Sequence, residues 1–235
     1  MGNWQKTLLS LVFLAVMLVF GYQQTQAPKA QSDSDIDYPA LTKHVSVIAA
    51  KPHPIGSEAN REVRDYIVAY FRSLGLATEV QKTTVVYRHP TVGSSATIIA
   101  NVENIIARLP GTLTREEGKA TDLVLMSHYD SRPLTHGAAD DASGTAAIME
   151  AARVLVDAPA PVHDIVFLIT DGEEMGLLGA QGFFRQHADA KKVGLVLDFE
   201  ARGSYGTSSM FETSNNNDWL IKNLVNSAPD LSANS

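Results

Sequence analysis

Three short, uninterrupted apolar runs occupy the middle of the chain, at residues 123–126, 165–169 and 193–197. A run that does not alternate with polar positions predicts a strand covered on both faces. Between the runs, residues 142–156 and 175–186 carry apolar side chains at helical spacing. Strand, helix, strand, helix, strand predicts an α/β fold of three layers, α/β/α, with a mixed, largely parallel and doubly wound sheet. Upstream, Ser57 is placed to cap a helix whose apolar positions Val63, Ile67, Tyr70, Phe71 and Leu74 share one face, with Gly75 as its stop. Residues 80–87 and 96–109 read as two further strands, the second closed by Pro110-Gly111, and 111–121 as a polar surface turn.

The N-terminal end has a different pattern. Lys6 precedes a nearly unbroken apolar stretch at 8–20, and Gln23, Gln24 and Gln26 follow it. This predicts a signal peptide or N-terminal membrane anchor over residues 1–22, then a polar linker over 23–37, then a folded domain over 38–235. With either kind of leader the domain lies outside the cytoplasm. Net charge is −7 and no Lys/Arg stripe is visible, which argues against nucleic acid as a partner. The absence of cysteine excludes disulfides and thiolate metal sites.

The acidic residues and one imidazole gather where the predicted strands end. His128 and Asp130 project from the same side of the first strand end, about 6–7 Å apart at ~3.3 Å per residue. Asp130 suits the orientation of His128 through a hydrogen bond. Asp140 and Asp141 precede a helix; one of them serves as its cap and the other is free to hold cations. Asp171, Glu173 and Glu174 crowd together after the second apolar run, where one Glu can ligate while its neighbour faces a water. Asp198 and Glu200 end the third, and either can supply a further carboxylate ligand. One imidazole and several carboxylates at the carboxyl ends of strands point to a metal-dependent hydrolase.

The motifs S-H-Y-D-S, G-A-A-D-D-A-S-G, D-G-E-E-M-G-L-L-G-A and L-D-F-E-A-R-G together resemble the co-catalytic di-zinc aminopeptidase family. That family includes secreted bacterial leucyl aminopeptidases, glutamate carboxypeptidase and glutaminyl cyclases. H-P-I-G-S, N-I-I-A-R-L-P-G and G-F-F-R-Q-H extend the likeness to its membrane-anchored endoplasmic-reticulum and vacuolar metallopeptidase branch. The resemblance implies a zinc exopeptidase acting on a peptide with a free N-terminus, with two Zn2+ ions per complete domain. It implies His128 and Glu200 on the first zinc, with Asp198 as the rival to Glu200. Asp140 would bridge the two ions, Glu174 would bind the second, Glu173 would be the general base and Asp130 would orient His128. Ala139 departs from relatives that carry another Asp there. The family's last ligand, a His, is expected beyond Ser235, so the domain reads as truncated at its C-terminus. Two other readings of the same fold are a single-zinc glutaminyl cyclase and a non-catalytic receptor or scaffold.

Overall fold

The computed structural model describes residues 2–24, 35–88, 97–113, 121–201, 209–210, 213–227 and 232–233. The chain divides into two compact units, Asp35–Arg202 and the pair of stretches Met1–Ser34 and Gly203–Ser235. The larger unit contains the sheet. The smaller contains helix α1 (Asn3–Gln24).

The larger unit opens on α2 (Tyr38–Ile48), where the Asp37 carboxylate accepts the Ala40 N–H at 3.0 Å and Pro39 sits in the first turn. This helix was not among the predicted ones. Its signature, an Asp cap before a first-turn proline, was present in the sequence. In α3 (Glu58–Ser73) the Ser57 hydroxyl accepts the Asn60 N–H at 3.0 Å, as its place before the apolar stripe predicts. Gly75, at φ 78°, takes the left-handed conformation that ends helices.

Five strands form the sheet: β1 (Ala77–Arg88), β2 (Thr97–Leu109), β3 (Asp122–His128), β4 (Ile165–Thr170) and β5 (Val193–Asp198), in the order β1-β2-β4-β3-β5. β3 lies between β4 and β5, parallel to both, while β2 is antiparallel to β1 and β4. Helix α4 (Ser143–Asp157) connects β3 to β4, and α5 (Leu178–Gln186) leads from β4 toward β5. Every residue of β4 is buried, and its side chains divide between two cores. Phe167 and Ile169 pack with Ile67, Phe71, Ile148 and Met149 of α3 and α4. Val166 and Leu168 pack with Phe183 of α5. Helices on both faces explain why the apolar run is continuous.

Two details differ from the sequence expectation. The helix expected over 175–186 is broken: a 3-10 turn at Glu173–Met175 precedes α5, because Gly176 (φ 114°) and Leu177 (φ 57°) are both left-handed. α1 runs through Gln24 into the expected linker, and residues 114–120 of the expected surface turn lie outside the described residues. Among the described residues no helix is long and apolar enough to cross a membrane.

Two features position the site. The parallel strands β3, β4 and β5 all end at one edge. β2 pairs with β4 only through Ile105–Leu109, so β1 and β2 continue past that edge as an antiparallel arm. The arm packs on the turn after β4. A Cβ at Gly176 would meet the Tyr87 ring at 2.6 Å, so only glycine allows this approach.

Candidate metal centre

His128 is the last residue of β3 and is buried, with its ring held at both nitrogens. Nδ1 lies 3.0 Å from the Asp130 carbonyl oxygen and 3.4 Å from Asp130 Oδ1. With Nδ1–H donating to Asp130, Nε2 presents its lone pair to the far side. There it meets Asp140 Oδ1 at 3.0 Å, Glu200 Oε2 at 3.7 Å and Glu173 Oε2 at 3.9 Å. Ligand atoms of His128, Asp140 and Glu200 all lie within 4.8 Å of one another.

This donor set fits a metal. Lone pairs of one imidazole and several carboxylates converge, which is unfavourable unless a proton or cation lies between them. Zinc bonds of ~2.0–2.2 Å in tetrahedral geometry place neighbouring ligand atoms about 3.4 Å apart, and the observed 3.0 and 3.7 Å bracket that separation. Without a metal the proton takes this role. Burial alone would lower the His128 pKa, but the carboxylates of Asp130, Glu200 and Asp141 push it up to about 12. In Glu200, burial is outweighed by His128 and the Ala201 N–H, which hold its carboxyl below the ordinary value.

The Asp pair divides its duties. Asp141 is buried, and its Oδ1 accepts the Gly144 N–H at 3.0 Å in the first turn of α4. Its Oδ2 accepts the His128 N–H at 3.4 Å. Burial first, then the Glu200 charge, raise its pKa to about 8 against the pull of His128. Asp140, across a cis peptide bond from Asp141, keeps its side chain half exposed and turned to His128. Gly137 makes room for this turn at φ 64°, since a Cβ there would lie 2.9 Å from the Asp140 carbonyl oxygen.

The two glutamates after β4 point apart. The Glu173 carboxyl faces His128, and burial, opposed by His128 and aided by Glu200, Asp130 and Glu174, raises its pKa to about 7. Glu174 turns instead to Arg132, its Oε2 2.6 Å from the guanidinium Nε, and lies outside the three-residue cluster. Asp130 fixes both from below, accepting the Glu173 N–H at 2.9 Å and the Glu174 N–H at 3.3 Å.

Asp171 does not add its charge to this group as the crowded motif suggested. It is buried toward α3 and β2, where it accepts from Asn60 Nδ2 at 3.2 Å and the Glu103 N–H at 3.0 Å. Burial and the Asp130 charge raise its pKa to about 7. Asp198 is exposed and absent from the cluster. His136 is engaged with the Ala49 carbonyl at 2.9 Å. Among the described residues one other group has ligand spacing, Glu79, His187 and Asp189, but Arg108 and Lys192 already neutralise Asp189. Sequence reasoning missed Arg132, which no motif marks, and Asn60, whose place three residues after the Ser57 cap aims it at Asp171.

The architecture is that of a zinc-exopeptidase fold. Solved structures that share the fold include a glutaminyl cyclase and a zinc aminopeptidase. A glutaminyl cyclase from Porphyromonas gingivalis superposes with a TM-score of 0.66 at 22% identity, covering 83% of this chain and 72% of that one. A zinc aminopeptidase from Bacillus subtilis superposes with a TM-score of 0.68 at 13% identity, covering 85% and 80%. In sequence, the chain is 30% identical over 209 residues to a vacuolar membrane protease of Schizosaccharomyces pombe, covering 87% of this chain but only 24% of that relative. Residues 104–235 match the family model of peptidase family M28, and the chain belongs to that family.

Proposed function

We propose that this chain carries a zinc-dependent exopeptidase centre that hydrolyses the N-terminal peptide bond of a peptide substrate, with Glu173 as general base. The observation that supports it best is the convergence of His128, Asp140 and Glu200 at ligand spacing, with the Glu173 carboxyl beside them. In this reading those three residues hold one zinc, and Asp140 with Glu174 holds a second. Bound zinc supplies Lewis acidity toward the carbonyl and brings the pKa of water into the neutral range.

The remaining work belongs to the chain's own groups. Asp130 fixes the tautomer of His128 and the direction of its Nε2. Glu173, with its pKa raised to about 7, accepts a proton at neutral pH and returns it to the leaving amine. The exposed apolar side chains of α1, among them Leu9, Phe13 and Leu18, suit attachment to a membrane surface. That setting agrees with the name of the vacuolar relative and with a site outside the cytoplasm.

One observation favours a second reading, a single-metal glutaminyl cyclase. Glu174 is engaged by Arg132, which leaves one three-ligand cluster. Chelated protein assayed on an aminoacyl-anilide, with and without added zinc, tests the first reading; hydrolysis that survives chelation refutes it. Ammonia release from an N-terminal Gln peptide, without anilide hydrolysis, would select the second.

A further inference from the structure

Residues 53–57, the H-P-I-G-S motif, stand outside the cluster, yet they lie against the three turns that carry Asp130, Asp140 and Glu173. The His53 N–H donates to Ser131 Oγ at 2.9 Å, and the His53 carbonyl accepts the Ser131 N–H at 3.3 Å. This is a two-way tie to the residue after Asp130. The His53 ring is buried and donates from Nδ1 to the Lys51 carbonyl at 2.8 Å. Burial lowers its pKa against the pull of the Lys51 carbonyl, Asp130 and the Tyr129 carbonyl, so at neutral pH the ring is uncharged. Its edge rests on the next turn: a Cβ at Gly137 would lie 3.5 Å from His53 Cε1 and 2.9 Å from Ser131 Cβ. Ile55 covers the third turn, where a Cβ at Gly172, next to Glu173, would lie 2.6 Å from Ile55 Cδ1. The segment itself is anchored by α3. Ser57 caps that helix and donates its N–H to the Pro54 carbonyl at 3.1 Å, and Asn60 bridges the His53 carbonyl at 3.5 Å and Asp171 at 3.2 Å.

We infer that His53 is a positioning residue of the metal centre: through Ser131 and the Gly137 turn it sets where Asp130 aims His128 and where Asp140 meets it. This rests on the proposed metal centre. A metal site needs its ligands held to within about 0.5 Å by side chains that are themselves locked. Strand β3 delivers His128 and ends there, whereas Asp130 and Asp140 lie on irregular backbone beyond it. Such backbone keeps its place only through its partners, and His53 lies against both stretches at once. The ring is too buried to meet a substrate, so it acts on the ligands only through these contacts. Ile55 does for the turn of Glu173 what His53 does for the other two, and the motif thereby links ligand and base to the start of one helix.

The test is calorimetric titration of the metal-free full chain with zinc, paired with urea unfolding of each variant. His53→Ala should weaken zinc binding at least about fivefold, short of the ~10–100-fold that follows loss of a ligand's direct partner. Phe183→Leu, in the core on the other face of the sheet, should lower stability and leave zinc affinity unchanged, which separates positioning from folding. Should His53→Ala fail to fold, Ser131→Ala takes its place: it removes the acceptor of the His53 N–H and should itself weaken zinc binding severalfold. Parent-like affinity in His53→Ala, or in Ser131→Ala where it stands in, would overturn the inference and leave the metal centre standing. A loss of affinity in Phe183→Leu equal to that in His53→Ala would overturn it too, because stability alone would then govern binding. No zinc binding by the parent would remove the metal reading itself, and this inference with it.

Discussion

The Asp130 carboxylate accepts the backbone N–H of Glu173 at 2.9 Å while standing 3.4 Å from His128 Nδ1. One buried side chain thereby couples the end of β3, which carries the candidate ligand, to the turn after β4, which carries the candidate base. Replacing it with alanine leaves the Glu173 and Glu174 N–H groups without their acceptor and removes the carboxylate beside the imidazole, whose Nδ1 keeps only the Asp130 carbonyl. Asp130→Ala should therefore weaken zinc binding about 10–100-fold, the usual effect of losing a residue that orients a ligand. Zinc titration of the metal-free protein measures it, and unchanged affinity would mean that the Asp130 carbonyl alone suffices to hold His128.

Glu200 and Asp198 are distinguished by direction. Glu200 Oε2 lies 3.7 Å from His128 Nε2, whereas Asp198 is exposed and stands outside the cluster. Glu200→Ala should lose most of its zinc on dialysis and Asp198→Ala should keep it. The reverse pattern would shift the ligand by two residues.

Much of this arrangement could be read before the structure. Continuous apolar runs at 123–126, 165–169 and 193–197 gave away strands covered on both faces, and the Ser57 cap gave the start of α3. The arm of β1 and β2 was harder, because its pairing past the edge of β4 depends on partners far away in sequence. The break at Gly176 and Leu177 was also hidden. The left-handed Leu177 donates its N–H to the Glu173 carbonyl in the turn that Asp130 holds, and local propensity would not suggest that conformation. In the site, the types of side chain were visible and their directions were not. Asp171, crowded with the glutamates in sequence, faces Asn60, and the Glu174 carboxylate is paired with Arg132.

Gly137 is a backbone requirement of the Asp140 turn. It is left-handed, and a Cβ would fall 2.9 Å from both the Asp140 carbonyl oxygen and the Ser131 Cβ. Gly137→Ala should cost about 1–3 kcal/mol of stability through strain and overlap. It should also lower zinc affinity, since relief of the overlap moves Asp140. Thermal unfolding with and without zinc checks both effects; an unchanged Tm in both conditions would show that the turn adapts freely.

Glu150, buried in α4, gives the larger unit a dependence on acid. Its carboxylate accepts from Arg153 and from the Asp37 N–H at 2.7 Å, joining α4 to the start of α2. Burial would raise its pKa, but Arg153 and that N–H outweigh it and hold the carboxyl below its ordinary 4.5. A depressed folded-state pKa adds stability above the unfolded value, and that stability is lost as pH falls through the folded one. Glu150→Gln should destabilise the protein by about 1–2 kcal/mol at pH 7, limited by the partial exposure of Arg153. The difference from the parent should shrink below about pH 4. Urea unfolding at both pH values measures it, and a constant difference would contradict the assignment.

The central claim is that Glu173 moves the proton and does not hold the metal. Glu173→Gln preserves shape and removes only the basic oxygen. Zinc content and aminoacyl-anilide hydrolysis, measured on the same preparation, decide the matter. The account predicts unchanged zinc with turnover reduced at least ~10²–10⁴-fold, the usual contribution of a general base. Loss of zinc from the variant, or turnover close to the parent's, would contradict it.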